Sequence, residues 1–245
     1  MLTLLGERFA PITSSFGFLR LPLGEAAAGL ARWRRRLHGN VDVTPLHGRL
    51  SELLPALEPL TGGVRPRELL VATAGEWTAL FDCGVQGGDP VSSVGFLCQD
   101  LACQGMSVAT VPHTLGTGLE PLGRYGGVQW QLYGPLRTDF LNYVRGVSVA
   151  NDGGRWRFDA IGTVQSYERV EAYQARRVRD RFTTELLAAY CEELGVRLFD
   201  ADFYGPEAML VSSPQTVPPD GWCLSLEETQ QRWGIVPGVA QGLIG

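Results

Sequence analysis

A chain of 245 residues, 44% of them hydrophobic, can bury a core without disulfide or metal staples. Its formal net charge of -5 provides no basic footprint and sets aside a general nucleic-acid binder. All 21 basic residues are arginine, so neither a Schiff-base lysine nor the lysine of a phosphate-binding loop is on offer. A GC-rich coding bias explains that absence more simply than avoidance of a lysine-directed modifier.

Five cysteines, Cys83, Cys98, Cys103, Cys191 and Cys223, form no disulfide framework. The first 18 residues lack the basic start and long apolar run of a signal peptide, and no run of eighteen apolar residues occurs. A cytosolic protein with reduced thiols and no membrane span is the expectation.

In chain order, residues 14–21 read as a strand and 24–37 as a helix of good helix formers stopped by His38-Gly39-Asn40. Residues 41–46 form a short strand. Residues 51–60 look helical, with Pro55 in conflict, since proline disrupts a helix interior. Thr61-Gly62-Gly63 breaks the chain, and residues 1–63 are a possible N-terminal subdomain of an otherwise single domain.

Residues 69–73 and 77–81 read as a hairpin turned at Ala74-Gly75-Glu76. Asp89-Pro90 opens a helix with apolar positions Val94, Leu97, Cys98 and Leu101, closed by Gly105. Residues 106–111 are a strand, 113–123 a glycine-rich loop and 128–133 another strand. Asn151-Asp152-Gly153-Gly154 is a hairpin signal between strands 143–150 and 155–164. Residues 171–181 read as a basic helical segment, and Thr183 or Thr184 caps a helix over 185–194 ended by Gly195. A strand at 208–211, a proline-rich connector at 214–221, a short helix at 226–233 and a loose tail at 234–245 complete the chain. Two hairpins without regular β-α alternation predict an α+β fold, a mostly antiparallel sheet with helices packed on one face.

Candidate chemistry is sparse. Cys83, after Asp82 at a strand end, could serve as a nucleophile were His113 beside it, but a free cysteine is more often a small buried hydrophobe. Cys98 and Cys103 are five apart on a predicted helix, point to different faces and have no second ligand pair, so no metal and no cofactor are expected. Gly84-Val85-Gln86-Gly87-Gly88 precedes a helix but lacks a phosphate-loop order. Asp200 and Asp202 look like a turn rather than a catalytic pair. Two arginine clusters remain: Arg32, Arg34, Arg35 and Arg36, which has few acids nearby in sequence, and Arg176, Arg177, Arg179 and Arg181. Arg124 and Tyr125, after the glycine-rich loop, form the kind of pair that serves as a contact hot spot.

The run Trp77 to Asp82 (WTALFD) and the run Arg179 to Leu187 (RDRFTTELL), followed by Leu194-Gly195-Val196, are similar to uncharacterised cytosolic proteins of high-GC bacteria. The organisation loosely resembles α+β immunity proteins of bacterial toxin systems. The resemblance implies a partner-binding role and brings no catalytic residues. The leading expectation is a non-enzymatic protein-binding module using Arg124, Tyr125, Arg32, Arg34, Arg35 and Arg36. One alternative is an enzyme or ligand-binding protein with a site near Asp82, Cys83, His113 and Arg124. Another is a structural subunit joined through strand edges. The sequence leaves the oligomeric state open.

Overall fold

The computed structural model describes residues 1–115, 122–138 and 141–237. In chain order the elements are β1 (Ser15–Leu19), α1 (Leu23–His38), β2 (Asp42–His47), α2 (Leu50–Leu53), β3 (Leu60–Thr61), β4 (Arg67–Thr73), β5 (Thr78–Asp82), α3 (Pro90–Asp100), β6 (Gly105–Val111), β7 (Gly127–Tyr133), β8 (Tyr143–Asp152), β9 (Arg155–Gly162), α4 (Thr184–Glu193), β10 (Tyr204–Ser212), β11 (Cys223–Leu224) and α5 (Leu226–Trp233). Nine strands form one antiparallel sheet in the order β2-β10-β4-β5-β1-β6-β7-β8-β9. β3 and β11 pair separately. The α+β, antiparallel architecture matches the sequence reading. No helix among the described residues is long and apolar enough to cross a membrane.

The helices occupy both faces, not one. Phe16, Phe18, Leu69, Val71, Ala79, Phe81 and Trp130 point into one core with Leu187 and Tyr190 of α4. Leu19, Leu70 and Leu80 point into a second core with Leu30 of α1 and with Val94 and Leu97 of α3. The physical reason lies in β4 and β5. Their runs Leu69-Leu70-Val71 and Ala79-Leu80-Phe81 have no polar phase, and a strand that is apolar on both phases needs cover on both sides.

Other departures have local causes. The conflict at Pro55 resolves by division: α2 stops after one turn and a 3-10 turn, Leu54–Leu57, takes the proline at its start, where no N–H is needed. Residues 171–181 form two separate 3-10 turns, Val170–Gln174 and Val178–Asp180, rather than a helix. Tertiary bonds govern that stretch. Glu168 takes the buried Arg145 guanidinium through two bonds of 2.9 and 2.7 Å, and the Tyr173 hydroxyl donates to Glu168 at 2.7 Å. β10 is longer than expected and lies between β2 and β4. β3 and β11 are too short for periodicity to reveal them. The expected hairpins form, as do α1, α3, α4 capped by Thr183, and α5. Of the tail expected to be loose, residues 238–245 lie outside the described residues, as does part of the glycine-rich loop.

Residues 1–63 are built into the main sheet, because β1 sits between β5 and β6 at its centre. At one edge, β2 is largely exposed and carries Pro45, a residue tolerated on edge strands because its missing donor faces outward. On the second face α1 and α3 are joined by a stacked Trp33–Phe96 pair, with centroids 4.5 Å apart, a contact worth about 0.5–1.5 kcal/mol.

α3 lies close over β1 at Gly17. A Cβ there would be 2.5 Å from Val94 Cγ2 and 3.0 Å from Pro90 Cβ. Gly17→Ala is therefore expected to lower stability by about 1–3 kcal/mol through overpacking. Urea unfolding checks this, and an unchanged midpoint would mean that α3 is not seated on β1 as described.

Candidate functional site

The residues singled out from sequence gather mainly at one end of the sheet, where β5 and β6 finish and β1 and β7 begin. Asp82 closes β5 opposite Glu68 of β4. Both carboxylates point to the α3 face and both are buried. Glu68 receives Arg34 of α1 through bonds of 2.5 and 2.6 Å and Ser93 of α3 at 3.1 Å. Asp82 accepts the backbone N–H of Gly84 and of Asp89, each at 2.8 Å, and Arg65 Nε lies 3.0 Å from its Oδ1. The carboxylate thus folds the 84–89 loop around itself and delivers the chain to the start of α3. A Cβ at Gly84 would fall 2.3 Å from the Gly87 carbonyl oxygen, so this tight turn admits only glycine.

Burial pushes the Asp82 carboxyl up to about 6, partly opposed by Arg65 and the Asp89 N–H. Cys83, the residue just past β5, points to the opposite core, against the Thr61 hydroxyl at 3.4 Å. Burial raises its thiol above the ordinary range, the reverse of what a nucleophile needs. His113 lies past the end of β6. Its Nδ1 accepts the Gly126 N–H at 3.2 Å, and its ring meets Tyr125 and Trp156 with centroids 6.3 and 5.6 Å away. Asp82, Cys83 and His113 therefore face three different surroundings. As one pocket they are not assembled.

Arg124 and Tyr125 part company. Arg124 turns inward, donating to Glu7 and, at 3.2 Å, to Ser14 Oγ, with its side chain 11% exposed. Tyr125 remains 49% exposed. The α1 arginines are also largely engaged: Arg34 with Glu68, Arg32 and Arg36 with Asp100 of α3 at 2.9 and 3.2 Å, and Arg35 loosely with the Val41 carbonyl. Acids distant in sequence supply the partners that nearby sequence lacked. Asp200 and Asp202 do form a turn, Asp200 accepting the Asp202 N–H.

Beside Tyr125 the α3 face changes character. From β6 to β9 it presents Ser107, Gln129, Gln131, Ser148, Ala150 and Asp159, small or polar positions fixed on one side by the strand register. Gln129, Gln131, Ser148 and Ala150 are half-buried, and Asp159 and Ile161 are exposed. A shallow depression of about 120 Å³ lies there, lined by Tyr125, Gln129, Ala150 and Asn151 among others. In β7, β8 and β9 apolar residues alternate with small or polar ones, a period of two by which sequence marks this face as open. A groove of about 690 Å³ at the opposite end of the sheet was not anticipated; Arg20, Thr73, Glu76, Trp77 and Glu207 help to line it. Arg20 and Glu76 are paired across it, so its charge is internally balanced. No group of three or more potential metal ligands occurs among the described residues.

No family model, no curated protein and no solved structure matches this chain.

The folded Asp82 carboxyl holds its proton more tightly than an ordinary one at 3.8. Its contribution to stability is thus fully present below about pH 4 and is lost as pH rises through about 6. At about 1.4 kcal/mol per pH unit the swing is roughly 3 kcal/mol. The stability difference between wild type and Asp82→Asn, from denaturation at successive pH values, should change across that window. A difference independent of pH would show that Asp82 titrates normally.

Proposed function

We propose that the protein is a non-enzymatic binding module that seats a protein partner on the open half of its sheet, around Tyr125. The observation that supports this reading is the unequal cover of the α3 face. α1 and α3 lie over β10, β4, β5, β1, β6 and the Tyr133 end of β7, whereas the rest of β7, with β8 and β9, continues the same face as a broad, half-exposed surface. Such a surface suits a macromolecule, since its depression is far smaller than the 300–1,000 Å³ common for small-ligand pockets. Tyr125 supplies a rigid aromatic anchor at its margin, of the kind that dominates contact energies. Neutralisation of a partner by occlusion, as immunity proteins do, is one use of such a face. It requires no catalytic group in this chain.

The second reading, a small-ligand protein, moves from the Asp82–Cys83–His113 region to the groove at Arg20, Glu76 and Trp77, which has the necessary volume.

The deciding experiment is affinity capture from the native host, with quantitative binding of the captured protein to variants. Ser148→Arg places a charge in the middle of the open face and Tyr125→Ala removes the anchor. Each is expected to weaken binding by about tenfold or more, equivalent to roughly 1.4 kcal/mol, while Arg36→Ala is expected to leave it unchanged. Binding indifferent to both open-face changes would overturn the assignment of the surface. A thermal shift with a metabolite, abolished by Trp77→Ala, would favour the groove.

A further inference from the structure

We infer that Cys98 and Cys103 are a redox pair that closes to an intramolecular disulfide when the protein meets a peroxide. The sequence expectation placed these residues on different faces of one helix. The structure places them together, because α3 ends between them. Leu101 is the last residue bonded into the helix, its N–H reaching the Leu97 carbonyl at 2.9 Å. Ala102 then adopts a left-handed conformation, φ 53°, and the chain turns back. The Cys103 N–H bonds the Cys98 carbonyl at 3.1 Å. That six-residue closure is the helix stop in which the side chain two positions past the cap folds onto the one three positions before it. A hydrophobic contact usually fills this place; here it is thiol against thiol. Both side chains lie in the same α1–α3 core.

The pair has an inside and an outside member. Cys98 is fully buried in the α1–α3 core, close enough to Gly105 that a Cβ there would fall 2.3 Å from its Sγ. Cys103 is 8% exposed at the turn. Its neighbour Cys98 holds the Cys103 thiol below its ordinary range, while Cys103 and burial push the Cys98 thiol up. Cys103, at the turn and the more exposed of the two, is the attacking sulfur, and the enclosed Cys98 is the resolving one.

In the first step the Cys103 thiolate attacks one peroxide oxygen. The O–O bond breaks, a sulfenic acid forms, and the departing hydroxide takes the proton that Cys103 had released, leaving as water. In the second step Cys98 Sγ attacks the Cys103 sulfur. The S–O bond breaks, the S–S bond forms, and the hydroxide leaves with the Cys98 proton as a second water. The two thiols lose two electrons and the peroxide gains them. The other cysteines lie elsewhere: Cys83 against Thr61, Cys191 against Met106 and Cys223 exposed on β11. The new bond would fasten the end of α3 to the approach of β6, enclosing Asp100, whose carboxylate holds Arg32 and Arg36 of α1.

The test treats the folded, full-length protein with stoichiometric hydrogen peroxide and counts thiols after denaturation. Chymotryptic cleavage at Leu101 cuts the chain between the two cysteines. Two fewer thiols are expected, with the Cys98 and Cys103 peptides joined until dithiothreitol separates them. Cys98→Ser and Cys103→Ser should abolish the linked product, and Cys223→Ser should keep it. Mapping on the unaltered chain decides the matter should a core variant fail to fold. Oxidation confined to Cys223, a Cys103 product never linked to Cys98, or a link formed only in urea would each overturn the proposal.

Discussion

The seating of α3 on β1 at Gly17 is the contact on which the remaining architecture depends. β1 is the middle strand of nine, and its pleat must satisfy two layers at once. Phe16 and Phe18 fill one core, while the residue between them must be small enough to admit a helix on the other side. With Gly17 in place, α3 can approach the sheet and stack Phe96 on Trp33 of α1. α1 then covers β4 and β10, whose apolar positions on that face would otherwise meet water. Hydrophobic burial on both sides drives this arrangement, and steric room at one residue permits it.

The buried charges depend on the same layering. Arg34 and Glu68 meet because α1 is held across β4, and Asp82 meets Arg65 because the loop after β5 must turn sharply into α3. Groups that look functional in isolation are consumed by construction. A buried carboxylate needs a cation or donors, and here it finds both. Beyond α3 the polar half of the sheet stays without a helix over it, and the proposed partner surface rests there.

Much of the fold was legible because its signals are local. Asp89-Pro90 opening α3, the Gly153-Gly154 hairpin and Thr183 capping α4 each act within a few residues. The second helical layer was legible in principle from the two-phase apolar runs of β4 and β5. β10 was seen only in part, since Gly205 and Pro206 mask its start. Of the candidate site, Tyr125 and the alternation of β7 to β9 could be read from sequence. The engagement of Arg124 by Glu7, and of Arg32 and Arg36 by Asp100, could not, since these partners are separated by 64 to 117 positions. The apposition of Cys98 and Cys103 was hidden for a different reason. It turns on a single left-handed alanine, where sequence rules look for glycine.

The proline in β2 has a bearing on assembly. A strand that lacks one outward donor is a poor template for another strand, so the sheet has an inert margin on that side. Any extension by strand addition must use the β9 side. Two molecules meeting there do so through the same strand, related by a two-fold axis, and the joined pair then ends in β2 at both extremities. Such a contact closes on itself. Fibrous growth would require unlike edges to mate head to tail, and one of those edges is blunted.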